Sequence, residues 1–279
     1  MDGFSAGRLG GADWEIDDIP FQDIVYEELR QDPQIFYLLA AASYVESTTA
    51  LYTDNLVAFF RGDSEINDWL LQQWEPEELR HGASLKRYVK AAWPGFDWNA
   101  GYSAFIQEYS RCCRIELLAP TKALELAARC VVETGTSTFY RALSAMTREP
   151  VLKRMAAQIC FDEVGHYKQF QNFFQHYRAS EGTSRRAILR TLWQRMTMVD
   201  DEDIFLAFKH VFLVANPGLS FDHEDYAAFR YGVAQLAKQY YPHNMAVRMM
   251  LRPLSLNASV ARVITPSVTF AARSLFLRE

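Results

Sequence analysis

A glutamate and a histidine three residues apart lie on one face of a helix, so both can reach the same ion. The chain holds two such pairs, Glu78 with His81 and Glu163 with His166. Each follows a lone glutamate: 32 residues separate Glu46 from Glu78, and 30 separate Glu133 from Glu163. A single Glu-x-x-His is weak, because roughly one histidine in fifteen has a glutamate at that place at ordinary composition. A lone glutamate followed by such a pair, used twice at matching distance, is far less easily produced by chance. Two divalent cations would balance four carboxylates and leave two imidazoles as neutral nitrogen donors, so the expected chemistry is that of a dinuclear metal centre.

The elements that must position these residues are long helices. Apolar residues recur every three to four positions between the Gly and Pro breaks, and no strand alternation is found. Core helices are predicted at about 34–61, 64–92, 119–146 and 150–178, with shorter helices from 183 onward and an irregular arm at 1–30. Each core helix has an apolar stripe interrupted at mid-length by an acid or a histidine. The first runs Ile35, Leu39, Ala42, Glu46, Thr49, Thr53, Leu56, Phe60 and the second Leu71, Trp74, Glu78, His81, Leu85, Tyr88. The third runs Ala123, Leu126, Cys130, Glu133, Thr136, Tyr140, Leu143 and the fourth Leu152, Met155, Ile159, Glu163, His166, Phe170, Phe173, Tyr177. All six donors therefore face the core. An uncompensated buried carboxylate costs several kcal/mol even after relaxation, and too few stripe positions carry Lys or Arg to neutralise four, which makes cations the expected counter-charge.

The bulk properties agree with a soluble all-α bundle of one domain. The chain has 279 residues, 49% hydrophobic and 23% charged, with net charge −5, so it has no general attraction to nucleic acid. The start lacks a secretory pattern and no apolar run of about 18 residues is found, so a cytoplasmic protein without a membrane span is expected. Four cysteines contain no C-x-x-C pair, which argues against zinc and rubredoxin-type sites.

At these residues the chain resembles the soluble acyl-carrier-protein desaturases, members of the ferritin-like di-iron carboxylate proteins. The resemblance covers roughly residues 14–178. WEPEELRHGASLKRYV is similar to the family's W-x-x-E-E-x-x-H block, and ETGTSTFYRAL followed by EPVLKRMAAQICFDEVGHYKQF is similar to its second hairpin. It implies a single ferritin-like domain over 1–279: an arm at 1–30, a four-helix di-iron core at 31–180 and C-terminal helices at 181–279. It further implies Glu46 and Glu133 as terminal ligands, Glu78 and Glu163 as bridging ligands, and His81 and His166 as one nitrogen donor per iron. Thr136 matches a threonine associated with oxygen activation, and Trp14 a tryptophan on the electron path. Asp162 and Glu77, each just before a bridging glutamate, are expected to accept from the opposite hairpin's histidine. Pro76, two residues before Glu78, departs from the pattern, and the helix must kink there or restart with Pro76 in its first turn.

The activity so implied is oxygen-dependent desaturation of an acyl thioester on an acyl carrier protein. Two Fe ions would be the cofactor, with manganese in place of one iron left open, and a ferredoxin-like protein would be the electron donor. Arg80, Lys86, Arg87 and Lys90, or Arg185, Arg186, Arg190 and Arg195, could dock acidic partners. A di-iron oxygenase acting on an amine, arene or small acid is the second reading; the arylamine N-oxygenase branch adds a histidine where this chain has Ile159. A non-catalytic ferritin-like iron-binding protein is the third. A homodimer is expected, and the C-terminal helices could cap the bundle or form the dimer surface.

Overall fold

The computed structural model describes residues 14–30, 33–198 and 203–276, and these contain helices and no strand. The elements are α1 (Tyr26–Leu29), α2 (Pro33–Glu46), α3 (Thr49–Phe59), α4 (Ser64–Trp69), α5 (Glu75–Ala92), α6 (Trp98–Tyr109), α7 (Lys122–Met146), α8 (Pro150–Glu181), α9 (Arg185–Met198), α10 (Asp203–Ala215), α11 (His223–Ala237), α12 (His243–Leu251) and α13 (Ala258–Phe276). Four rods make the core: α2 with α3, α4 with α5, then α7 and α8. The α7–α8 hairpin packs along its whole length, α2 lies on α5, and α5 meets α8.

Two of the predicted rods are interrupted, both near a site residue. The first breaks immediately after Glu46, where Ser47, Thr48 and Thr49 turn their hydroxyls onto the carbonyls of Ser43, Val45 and Glu46 and compete with the helical ladder. The second runs through a π-helical turn, Leu70–Trp74, into the first turn of α5, which contains Pro76. Proline cannot donate the i→i−4 bond, and its place in the first turn, after the wider π turn, is one where that bond is not needed. Pro76 therefore restarts the helix and leaves Glu78 facing inward.

The other rods start and stop as their caps dictate. Thr121 caps α7 by accepting from Leu124 N–H, while Glu149 caps α8 and Gly182 ends it at φ 63. Where α2 crosses α5, a Cβ on Gly82 would sit 2.8 Å from the Ser47 backbone nitrogen. Glycine beside His81 is what lets the Glu46 end of α2 approach.

The sequence reading names no helix between 92 and 119, yet α6 forms there, capped by Asp97. Glu108 on α6 accepts from Lys209 and His210 of α10, at 2.8 and 2.9 Å, which straps these two helices together against α2. The later helices cover the bundle: α9 and α12 pack on α7, α11 on α2 and α7, and α13 on α12. No helix among the described residues is long and apolar enough to cross a membrane.

Candidate metal centre

The rods bring all six predicted donors together at mid-bundle. Glu46, Glu78, His81, Glu133, Glu163 and His166 are each 7% exposed or less. They form two groups: Glu46, Glu78, His81 and Glu163, and Glu78, Glu133, Glu163 and His166, each with ligand atoms within 4.8 Å of one another. Glu78 and Glu163 belong to both groups, as two carboxylates shared between adjacent ions would. Either group could hold a metal ion.

Both imidazoles have the same orientation. His81 Nε2 lies 3.0 Å from Asp162 Oδ2, and His166 Nε2 lies 2.8 Å from Glu77 Oε2. Each acceptor comes from the opposite hairpin, as expected from the sequence. The two Nδ1 atoms point inward, that of His81 3.3 Å from Glu163 Oε1 and that of His166 3.0 Å from Glu78 Oε1. A carboxylate on Nε2 fixes the proton there and leaves the Nδ1 lone pair for an ion.

Four buried polar atoms at this point make no well-formed hydrogen bond, His81 Nδ1, His166 Nδ1, Glu133 Oε2 and Glu163 Oε1, and the inward contacts of the two imidazoles are to other acids of the same cluster. Leaving one such group unmade costs about 1–3 kcal/mol, more when it is charged. Orphans are scattered and few in native interiors; here four converge on one point, and all are atoms that ligate metals. The donor set of carboxylate oxygen and imidazole nitrogen suits iron, manganese or zinc.

Without ions, neutralisation falls on protons. Burial, with repulsion from Glu78 and Glu163, pushes the Glu46 carboxyl well above its ordinary range; burial and Glu163 do the same to Glu133. Burial disfavours the His81 cation, but Asp162 and Glu163 outweigh it and hold its pKa up at about 10. His166 is likewise held well above the usual imidazole value, by Glu163, Glu77 and Glu78 against the effect of burial. For Glu163 burial is overcome in the other direction, and the two imidazoles keep it ionised far below the usual carboxylate range. The sequence argument that only cations make this cluster tolerable is thus too narrow, since protons can do it in the metal-free chain and must leave when ions enter.

The neighbouring residues complete the site. Thr136 Oγ1 lies 2.6 Å from Glu163 Oε2 and 3.3 and 3.4 Å from the carbonyls of Glu133 and Val132. A hydroxyl has one proton, and the shortest geometry gives it to Glu163, so Thr136 faces the donors. Tyr140 donates to Glu46 Oε1 at 2.5 Å, and burial next to Glu46 keeps it protonated. In the sequence Tyr140 lies on the apolar stripe of the third helix. Its position seven residues after Glu133 was the available signal for a role in the site.

Trp14 Nε1 donates to Asp162 Oδ2 at 2.8 Å, and its ring lies parallel to that of His81 at 6.1 Å between centroids. Trp14, Asp162 and His81 thus form a continuous chain from the arm to the donors. Arg80 joins it, 3.0 Å from Asp162 and 4.6 Å over the Trp14 ring. Arg87 pairs with Asp17 at 2.7 Å and lies over Phe21, while Lys86 lies over Trp98. Three of the four cations in the first basic run thus contact the arm or α6. In the second run, Arg185 binds the Ser255 carbonyl and Arg195 lines a cavity.

In comparisons with protein-family models, curated proteins and solved structures, none matches this chain. The case for a metal centre rests on the six donors and the residues that orient them.

Proposed function

We propose that this protein is an oxygen-dependent di-iron oxidase, with Glu46, Glu78, His81, Glu133, Glu163 and His166 holding the two ions. The observation that carries the reading is the convergence of six buried, inward-facing donors in two groups that share Glu78 and Glu163, with both imidazoles oriented by carboxylates. A pair of ferrous ions bound there would supply the two-electron chemistry with oxygen that removes hydrogen from an unactivated carbon.

The chain's own residues have definite tasks. Asp162 and Glu77 hold the Nε2 protons of the histidines and so present Nδ1 inward. Tyr140 fixes one oxygen of Glu46, and Thr136 donates a hydrogen bond to Glu163 and so holds its carboxylate in place. Trp14, hydrogen-bonded to Asp162 and stacked on His81, offers a route for electrons from the surface. Burial of the cluster excludes water from the reacting centre.

Desaturation of an acyl chain is the form that the resemblance to acyl-carrier-protein desaturases implies. In that reaction two C–H bonds are lost and a C=C bond forms. Oxygen takes the two substrate hydrogens together with two electrons from a ferredoxin-like donor and two protons, giving two waters. The test is oxygen consumption by the iron-loaded, reduced protein with and without acyl substrate, coupled to mass analysis of the product. Stimulated consumption and a product two mass units lighter support desaturation. A gain of sixteen supports an oxygenase, and slow iron oxidation without a product supports an iron-binding role alone.

A further inference from the structure

A second polar feature lies at one end of the bundle, where α3, α7, α9 and the 112–120 loop enclose a cavity of ≈ 670 Å³. That volume lies within the usual range for a small-molecule pocket. Its lining includes Arg114, Arg129 and Arg195 against two carboxylates, Glu125 and Asp203. Three cations facing two acids leave one positive charge in a chain whose net charge is −5.

Several donors in this cavity are unused. Tyr109 is 1% exposed, and its hydroxyl has no hydrogen-bond partner. Arg195 Nε is also buried without a partner. Arg129 spends Nε on Glu125 at 2.8 Å, and among the described residues its terminal nitrogens make no hydrogen bond. Asp203 accepts from Tyr52 at 3.2 Å, and burial raises its carboxyl pKa against the attraction of Arg195 and Arg129. The spare donors of Tyr109, Arg195 and Arg129, two of these groups being guanidinium, fit the planar fork of a carboxylate.

The six donors do not line the cavity, but two rods, the first and α7, serve both. Arg129 is one turn before Glu133 on the same face of α7, about 6 Å along the axis. On the facing rod, Tyr52 and Leu56 of the lining follow Glu46 by two to three turns. Thr49 and Thr53, on the same rod, spend their hydroxyls on carbonyls of that rod.

We propose that this cavity holds the carboxylate of the substrate, an organic monoacid whose uncharged body extends along α7 to the Glu133 end of the metal centre. The assignment rests on the oxidase reading and narrows it. A free acid would enter, whereas the carrier-bound thioester implied by the desaturase resemblance presents no charge for these donors.

Full-length protein of recorded metal content should be titrated calorimetrically with octanoate, 3-phenylpropanoate and their primary amides. At least one acid is expected to bind, with its amide at least about tenfold weaker. Arg195→Gln and Tyr109→Phe should each weaken acid binding several-fold and leave amide binding, metal content and helicity unchanged. Arg129→Gln strands Glu125 and risks unfolding, so the two other variants decide. Equal binding of acid and amide, no saturable acid binding, or acid binding indifferent to both variants overturns the proposal. Two ions per chain without acid preference would refute the carboxylate pocket alone, and acid binding in a chain that takes up no metal would refute the oxidase reading alone.

Discussion

Two deeply buried glutamates, Glu149 and Glu133, sit in opposite situations. Glu149 is 1% exposed and fully served: it accepts from Tyr88 Oη at 2.6 Å and from the backbone N–H groups of Val25, Val151 and Leu152 at 3.2, 3.1 and 2.6 Å. It caps α8 and ties down the residue that precedes α1. Glu133 is 2% exposed, has one oxygen without a hydrogen-bond partner and is repelled by the neighbouring Glu163. The fold can satisfy an interior carboxylate when it chooses the partners. At the centre of the bundle it supplies other acids and inward-facing imidazole nitrogens in their place. An arrangement that opposes folding but assembles ligand atoms is the signature of a site made for something else to fill.

The contrast is broken most strongly at the satisfied end. Glu149→Ala removes a cap and strands the Tyr88 hydroxyl, and should cost about 3 kcal/mol of stability. Thermal unfolding of metal-free protein should show this as a drop of several degrees, with metal uptake after folding unchanged. A variant that keeps its stability but loses metal would reverse the roles assigned to the two acids.

A smaller effect is expected one contact away from the ions. Asp162→Asn keeps the shape but weakens the hold on His81 Nε2, and metal affinity should fall about 10–100-fold, as is typical when a partner of a metal-bound histidine is lost. Competition with a chelator of known affinity measures it. The same variant should disturb Trp14 fluorescence, because Trp14 donates to the same oxygen.

The pH dependence of stability should also differ between the two forms. His81 has its folded pKa raised to about 10, and His166, Glu46 and Glu133 are raised as well. Raised groups hold more protons when folded, so the stability they lend is present at low pH and is lost as pH rises. For His81 that window runs from the unfolded value of about 6.5 to about 10. Glu163, held low, stays ionised throughout and contributes no slope there. Between pH 6.5 and 10 the metal-free protein should lose thermal stability. In the metal-loaded protein the ions replace those protons, and the gap between the two melting temperatures should widen as pH rises. Parallel curves for both forms would show that the ions do not bind at these groups.

Much of this was legible in the sequence because helical periodicity carries it. The stripes placed six donors on core faces, and the matching intervals in the two hairpins placed them at one height. Asp162 and Glu77 could be read because a residue adjacent to a ligand on one helix points toward the neighbouring rod. Features that depend on how rods approach one another were not legible. Gly82 has meaning only once α2 crosses above it, and Arg80 and Arg87 look like a basic surface until the arm lies across them. The length of rod hid its interruptions too: the Ser47–Thr49 hydroxyls and the π turn before Pro76 are local departures inside an unbroken apolar pattern. The helix α6 was missed because its aromatic stripe of Trp98, Tyr102, Phe105 and Tyr109 lies in a segment bordered by turn residues and carries no donor motif.

The most direct measurement is the metal content of the full chain after anaerobic loading with ferrous iron and removal of the excess, set beside Glu133→Gln treated in the same way. The wild-type chain should retain two ions, and the variant should lose at least one while melting no lower than wild type when both are metal-free. A wild-type chain that retains no iron, or a variant that retains the full complement, would contradict the claim that the stranded carboxylates and imidazoles of the bundle are there to hold a pair of ions.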